Sequence, residues 1–141
     1  MGVTFRQMTI EDYESVTELW KGMRGIGLSQ ADSRENIEAF LSKNPGLSFV
    51  AVEDGALVGA VLCGQDGRRG FLYHLAVAPK KRRAGVGAIL VNRCLERLAG
   101  LGLRKCHIFV MADNEEGKRF WRKTGWQERF DLVVMSRDVG G

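Results

Sequence analysis

No apolar run in this sequence approaches the roughly 18 residues that a bilayer-spanning helix needs, and the first residues, MGVTFRQMTIEDY, carry neither a secretory signal nor an arginine-rich transit pattern. Arg6 stands where a myristoylation signal has Ser or Thr, so no lipid anchor is implied. The expectation is a cytoplasmic protein with no membrane partner. Cysteine is scarce. Cys63, Cys94 and Cys106 lie in apolar patterns with no C-x-x-C spacing, which excludes a disulfide scaffold or a zinc ribbon and reads as reduced, buried thiols. Histidine occurs twice, at His74 and His107, with no cluster of ligand residues around either, so no metal is expected. Low-complexity segments, internal repeats and interdomain linkers are missing too, and 141 residues suffice for one core, so a single domain over 1–141 is expected. Acidic residues are outnumbered, 17 against 21 Lys and Arg. The basic ones cluster at 68–69, 80–83, 104–105 and 118–119. That balance suits an anionic ligand and by itself does not indicate nucleic acid.

What is present alternates strand and helix patterns. Val3 to Gln7 reads as a strand. Thr9 with Asp12 reads as a capping box that opens a helix carrying Tyr13, Val16, Trp20 and Met23 and ending near Arg24. Asp32 with Glu35 reads as the cap of a second helix, which stops at Asn44-Pro45-Gly46. Leu47–Val52 and Leu57–Cys63 flank Asp54-Gly55, a hairpin signal. A strand over Phe71–Val77, a helix over about Gly85–Ala99 and a strand over Arg104–Met111 form a parallel crossover. A helix over Glu115–Lys123 and short strands over Trp126–Arg129 and Leu132–Ser136 complete the pattern. The fold class is α/β.

The stretch Phe71 to Leu98 organises the rest. A strand running through a Gly-spaced basic turn into a helix leaves backbone N–H groups pointing one way, backed by the positive end of the helix dipole. This is an anion site, and Arg82, Arg83, Gly85 and Gly87 suit a phosphate or pyrophosphate. A nucleotide P-loop would close with Gly-Lys-Ser/Thr, but Ala88 and Ile89 follow Gly87. A dinucleotide fingerprint would need a third glycine where Leu90 stands. The basic run KKRR also fits a nuclear localisation patch or a nucleic-acid contact, but its place beside Gly85-x-Gly87 at a helix start weighs against both, and no nucleic-acid partner is expected.

The remaining pattern, Arg82-x-x-Gly85-x-Gly87 after a Leu75-Ala76-Val77 strand, resembles the acyl-coenzyme A loop of the GNAT N-acyltransferase superfamily. Asn114-x-x-Gly117-x-x-Phe120-Trp121-x-x-x-Gly125-Trp126 resembles the second signature of that family, in the right order and at the right distance. The resemblance implies a mixed, largely antiparallel sheet flanked by helices. It also implies an acetyl-coenzyme A-dependent N-acetyltransferase acting on a small-molecule or peptide amine, by direct attack in a ternary complex. A homodimer is compatible with it, and a coenzyme A-binding sensor without catalysis is the alternative. By the same resemblance the backbone of Leu75, Ala76 and Val77 would pair with the pantetheine arm. The turn Arg82, Arg83, Ala84, Gly85, Val86, Gly87 and Ala88 would hold the phosphates. Asn114 would bond the arm from the other side, and Gly117 would let its helix pass close by. Asn114 also reads as a plain helix cap.

Two positions depart from the family pattern. Many members have a tyrosine at the position of Trp121, and its hydroxyl protonates the leaving thiolate. An indole N–H does not titrate, so Trp121 can only line the site. Many members have a glutamate at the position of Tyr73. A phenol with a pKa of about 10 is a poor base at neutral pH, so Tyr73 is the candidate to hold a water, donate to the thiolate or wall the cleft. Strand alternation would put His74 on the opposite face, in a structural role. With no strong base evident, kcat/KM is expected to rise with pH until the acceptor amine titrates. A displaced carboxylate such as Glu35 would add a break at lower pH.

Overall fold

The computed structural model describes residues 2–140. Backbone contacts divide the chain into two compact units, Met1–Phe109 and Val110–Gly141.

The first unit is a five-stranded sheet with helices on both faces. Strands β1 (Thr4–Gln7), β2 (Phe49–Glu53), β3 (Ala56–Gln65) and β4 (Gly70–Val77) pair antiparallel in that order, and β5 (Cys106–Ile108) lies parallel to β4. The mixed, largely antiparallel sheet expected from the sequence is therefore present. Asp54 and Gly55, both at positive φ, form the two-residue turn between Glu53 and Ala56. That geometry matches the twist of an antiparallel hairpin.

Helices α1 (Tyr13–Lys21) and α2 (Arg34–Lys43) cover one face. Val16 and Trp20 of α1 and Ile37 of α2 are buried in one cluster with Val50, Ala60, Leu62 and Ala76 of the strands. Helix α3 (Val86–Gly100) returns from β4 and buries Val86, Leu90, Val91, Cys94 and Leu98 as a stripe against β2, β3 and β4. Upstream of α1 the capping reading holds, because the Asp12 carboxylate accepts the Thr9 N–H at 2.9 Å. The first turn there is a 3-10 turn over Ile10–Asp12.

The cap of α2 differs from expectation. Ser33, not Asp32, caps it, its hydroxyl accepting from the Asn36 N–H at 3.2 Å. Asp32 instead ends a preceding 3-10 turn, Gln30–Asp32, where its carboxylate accepts the Ser29 N–H at 3.1 Å.

Strand β4 is irregular in its middle. Ala60 faces Ala76 and Leu62 faces Tyr73, so one β3 residue opposes both His74 and Leu75. His74 takes φ +54, the left-handed region. This β-bulge cancels the alternation that placed Tyr73 and His74 on opposite faces. The parallel pairing to β5 covers only Gly70 to Leu72, shorter than the Arg104–Met111 strand expected.

The second unit contains α4 (Glu115–Lys123), with the bounds that the sequence pattern predicts. The two closing strands are not formed, since no strand is assigned among the described residues after Ile108. Phe130, Leu132, Val133, Val134 and Met135 are exposed there. β-Propensity measures fit to a half-buried pleated surface, and this run has no such surface beneath it.

Candidate active site

In the first unit three features meet along β4. The first is an open strand edge. Beyond Leu72 the pairing with β5 ends, while β4 continues to Val77, bonded to β3 on its other side. Leu75, Ala76 and Val77 therefore present peptide groups along an edge with the hydrogen-bonding character of a missing strand.

The second feature is the turn into α3. Its N-cap, Gly85, sits at φ +81 and ψ 4, a left-handed conformation that a side chain would strain. Arg83 is left-handed as well, at φ +69. Left-handed residues alternating with others turn successive N–H groups to one side, the geometry of an anion-binding nest. The first intrahelical acceptor in use is the Gly85 carbonyl, which takes the Ile89 N–H at 3.1 Å, so the preceding N–H groups of the helix start have no partner within it. Lys81 is tied to Glu53 at 2.7 Å, fixing the turn to the β2–β3 hairpin. Arg82 donates from Nε to the Val77 carbonyl at 3.3 Å, and both Arg82 and Arg83 are exposed. The residues present fit a ligand with an amide-rich arm and phosphates. The strand edge suits the arm, and the helix start with its arginines suits the anion.

The third feature is a cavity of about 390 Å³ lined by Asp32, Asn36, Phe40, Leu62, Tyr73 and His74, among others. Tyr73 packs edge-on against Phe40, ring centroids 5.9 Å apart. Burial first, then the nearby Cys106, Cys63 and Asp66, raise its phenol above the ordinary value, so it is a neutral hydrogen-bond donor at physiological pH. His74 Nε2 lies 2.9 Å from Asp32 Oδ1. Sequence reasoning gave His74 only a structural role and read Asp32 as a helix cap and, with Glu35 and Glu38, as a carboxylate that either attracts a cationic amine or solvates a helix. A Ser29-x-x-Asp32 box was legible as a turn signal. The bulge that swings His74 towards Asp32 left no mark in the alternation. Glu35, the alternative base, is exposed and does not line this cavity.

In the second unit, Asn114 is the N-cap of α4 and its side-chain oxygen accepts the Gly117 N–H at 3.0 Å. A Cβ on Gly117 would meet the Asn114 amide at 2.5 Å, so a side chain there would have to displace the capping asparagine. Trp121 is largely buried and lies edge-to-face with both Phe120 and Trp126, centroids 5.0 Å away in each case. Cys94 and Cys106 offer no competing nucleophile. Hydrogen bonding to Cys63 and burial push the Cys94 thiol far up, and burial raises Cys106 to about 12.

The sequence profile described as the Acetyltransferase (GNAT) family matches residues 13–126. The chain belongs to that family. An acetyltransferase of Pectobacterium atrosepticum is 36% identical over 133 residues, 94% of this chain and 91% of the relative. Among solved structures, Ard1 from Thermoplasma volcanium superposes with a TM-score of 0.78 at 23% identity, covering 89% of this chain and 82% of its own. AAC(6')-Iy, solved with the bisubstrate analogue CoA-S-monomethyl-acetylneamine, gives 0.76 at 20% identity, with 98% and 99% covered. These two likenesses establish the fold. This GNAT protein is thus an acetyl-coenzyme A-dependent acyltransferase.

Proposed function

We propose that this acyltransferase moves the acetyl group of acetyl-coenzyme A to a primary amine by direct attack in a ternary complex. The observation that carries the reading is the β4 edge from Tyr73 to Val77, open on one side and adjoined at Tyr73 by the 390 Å³ cavity. The thioester supplies an activated acyl group and a thiolate leaving group. The Leu75–Val77 edge aligns the pantetheine arm, and a backbone N–H near Ala76 or Val77 polarises the carbonyl. The N–H groups and arginines from Arg82 through Ala88 hold the phosphates. Tyr73, kept neutral by burial, donates its hydroxyl proton to the departing sulfur. Cofactor-binding roles for Asn114, Gly117 and Trp121, and a single N-acetyltransferase domain over 1–141, belong to the same proposal. No metal takes part.

The cavity suits a cationic acceptor, because Asp32 is acidic and neither Lys nor Arg is among the residues that line it. A polyamine, an amino-sugar or a peptide amine fits that chemistry. The three free cysteines suit a reducing compartment, so the cytoplasm is the proposed setting, with a homodimer as the compatible assembly.

The test is thiol release from acetyl-coenzyme A against a panel of spermidine, neamine and alanine-initiated peptide. Turnover with at least one amine, reduced about ten- to a hundredfold in Tyr73→Phe with KM nearly unchanged, is expected. Tight acetyl-coenzyme A binding with no thiol release by any amine would favour the sensor reading instead.

A further inference from the structure

The bulge in β4 places two consecutive side chains, Tyr73 and His74, on one cavity. Only the first was anticipated by alternation. His74 is held on three sides. Its carbonyl accepts the Trp20 indole N–H at 3.1 Å, its ring lies edge-on to Trp20 with centroids 4.9 Å apart, and its Nε2 meets the Asp32 carboxylate at 2.9 Å. Asp32 in turn is fixed by the Ser29 N–H and by its own carbonyl, which accepts the Tyr13 hydroxyl at 2.7 Å. Side-chain exposure is 19% for His74 and 11% for Asp32, so the pair is largely shielded from water. A carboxylate on Nε2 fixes the proton there and leaves the basic lone pair on Nδ1.

We infer that His74, oriented by Asp32, is the general base that removes a proton from the acceptor ammonium in the cavity. This rests on the acyl-transfer reading above. An aliphatic amine with a pKa of about 10.4 is neutral in about one molecule in 2,500 at pH 7, so a base beside it matters. His74 Nδ1 takes one N–H proton. The freed lone pair forms the C–N bond as the C–S bond breaks, the sulfur leaves with the bonding pair and receives the Tyr73 proton, and the second proton of the attacking nitrogen passes to the Tyr73 phenolate, leaving a neutral amide and a neutral Tyr73. The Asp32 carboxylate faces the imidazolium that forms, 2.9 Å from Nε2. The other titratable or charged groups around the pair are Tyr73 on the same strand, Tyr13, Glu14 and Lys21 of α1, and Arg34 of α2, which pairs with Glu14 at 3.2 Å.

The test uses the full chain. In wild type, nitrogen-detected imidazole NMR should report the Nε2–H tautomer for His74, lost in Asp32→Asn. With the best amine of the panel, His74→Gln should lower kcat/KM about a hundredfold and leave the acetyl-coenzyme A-induced rise in Tm intact. Free imidazole should partly restore His74→Ala, a rescue that a purely structural histidine would not show. A wild-type rate retained in folded His74→Gln, or an Nδ1–H tautomer in wild type, overturns the base while acyl transfer stands. Absence of transfer to every amine by wild type overturns both.

Discussion

His74 sits in the left-handed region in the middle of a strand, a conformation that costs a non-glycine residue about 1–3 kcal/mol. The Trp20 indole on its carbonyl and the Asp32 carboxylate on its ring offset that cost, so the strain and the cavity-facing ring are two consequences of one bulge. A second buried carboxylate, Asp12, is held by chemistry of the same kind. Burial alone would raise its pKa, but bidentate bonds from Arg6 at 2.8 and 2.9 Å, with the Thr9 N–H, hold it below the ordinary value. A carboxyl depressed in the folded state contributes stability that is complete above its unfolded pKa, about 3.9, and is lost as pH falls through the folded value. Asp12→Asn should therefore cost about 1–2 kcal/mol at pH 7, measured by urea unfolding. The gap to wild type should close below about pH 4. An equal gap at pH 7 and pH 3 would show that Arg6 does not hold this carboxylate. Thr9-x-x-Asp12 was readable as a cap because that signal is local. The His74–Asp32 pair spans 42 residues, and nothing in the local pattern announces it.

Among the elements, the α3 start carries the proposed phosphate contacts. Its Arg82-x-x-Gly85-x-Gly87 pattern was legible because a glycine at a helix start answers a backbone demand, and Gly85 at φ +81 is that demand made visible. The strand edge beside it was less legible. Where β5 would stop pairing with β4 depends on tertiary twist, which composition does not encode, and the parallel ladder ends at Leu72–Ile108. Acetyl-coenzyme A at a hundredfold excess over its Kd should stabilise the protein by about 2.7 kcal/mol, a rise in Tm of about 10 °C for a chain of this size. Gly85→Asp with Gly87→Asp should abolish that rise, through negative charge and bulk at the anion site, while the far-UV circular dichroism spectrum stays that of the wild type. A rise of undiminished size in the double variant would move the phosphates away from this turn.

For the whole molecule, the sheet of the first unit and the tail of the second behave as opposites. Val50, Ala51, Ala60, Val61, Cys63 and Leu72 are 0–1% exposed in β2, β3 and β4, while Phe130, Val133 and Met135 are 86–91% exposed in a segment without strand pairing. Both stretches read alike in the sequence, as short runs rich in apolar or β-branched residues. What separates them is a partner edge, and a strand gains stability only from neighbours on a sheet. Hydrogen exchange should divide the two. Amides of β2, β3 and β4 should open only with global unfolding, and those of residues 130–136 should exchange within seconds at neutral pH, since their backbone groups face water. Slow exchange at 132–135 that appears only as protein concentration rises would show that the run pairs with another copy of the chain, the association expected of an exposed apolar strand sequence.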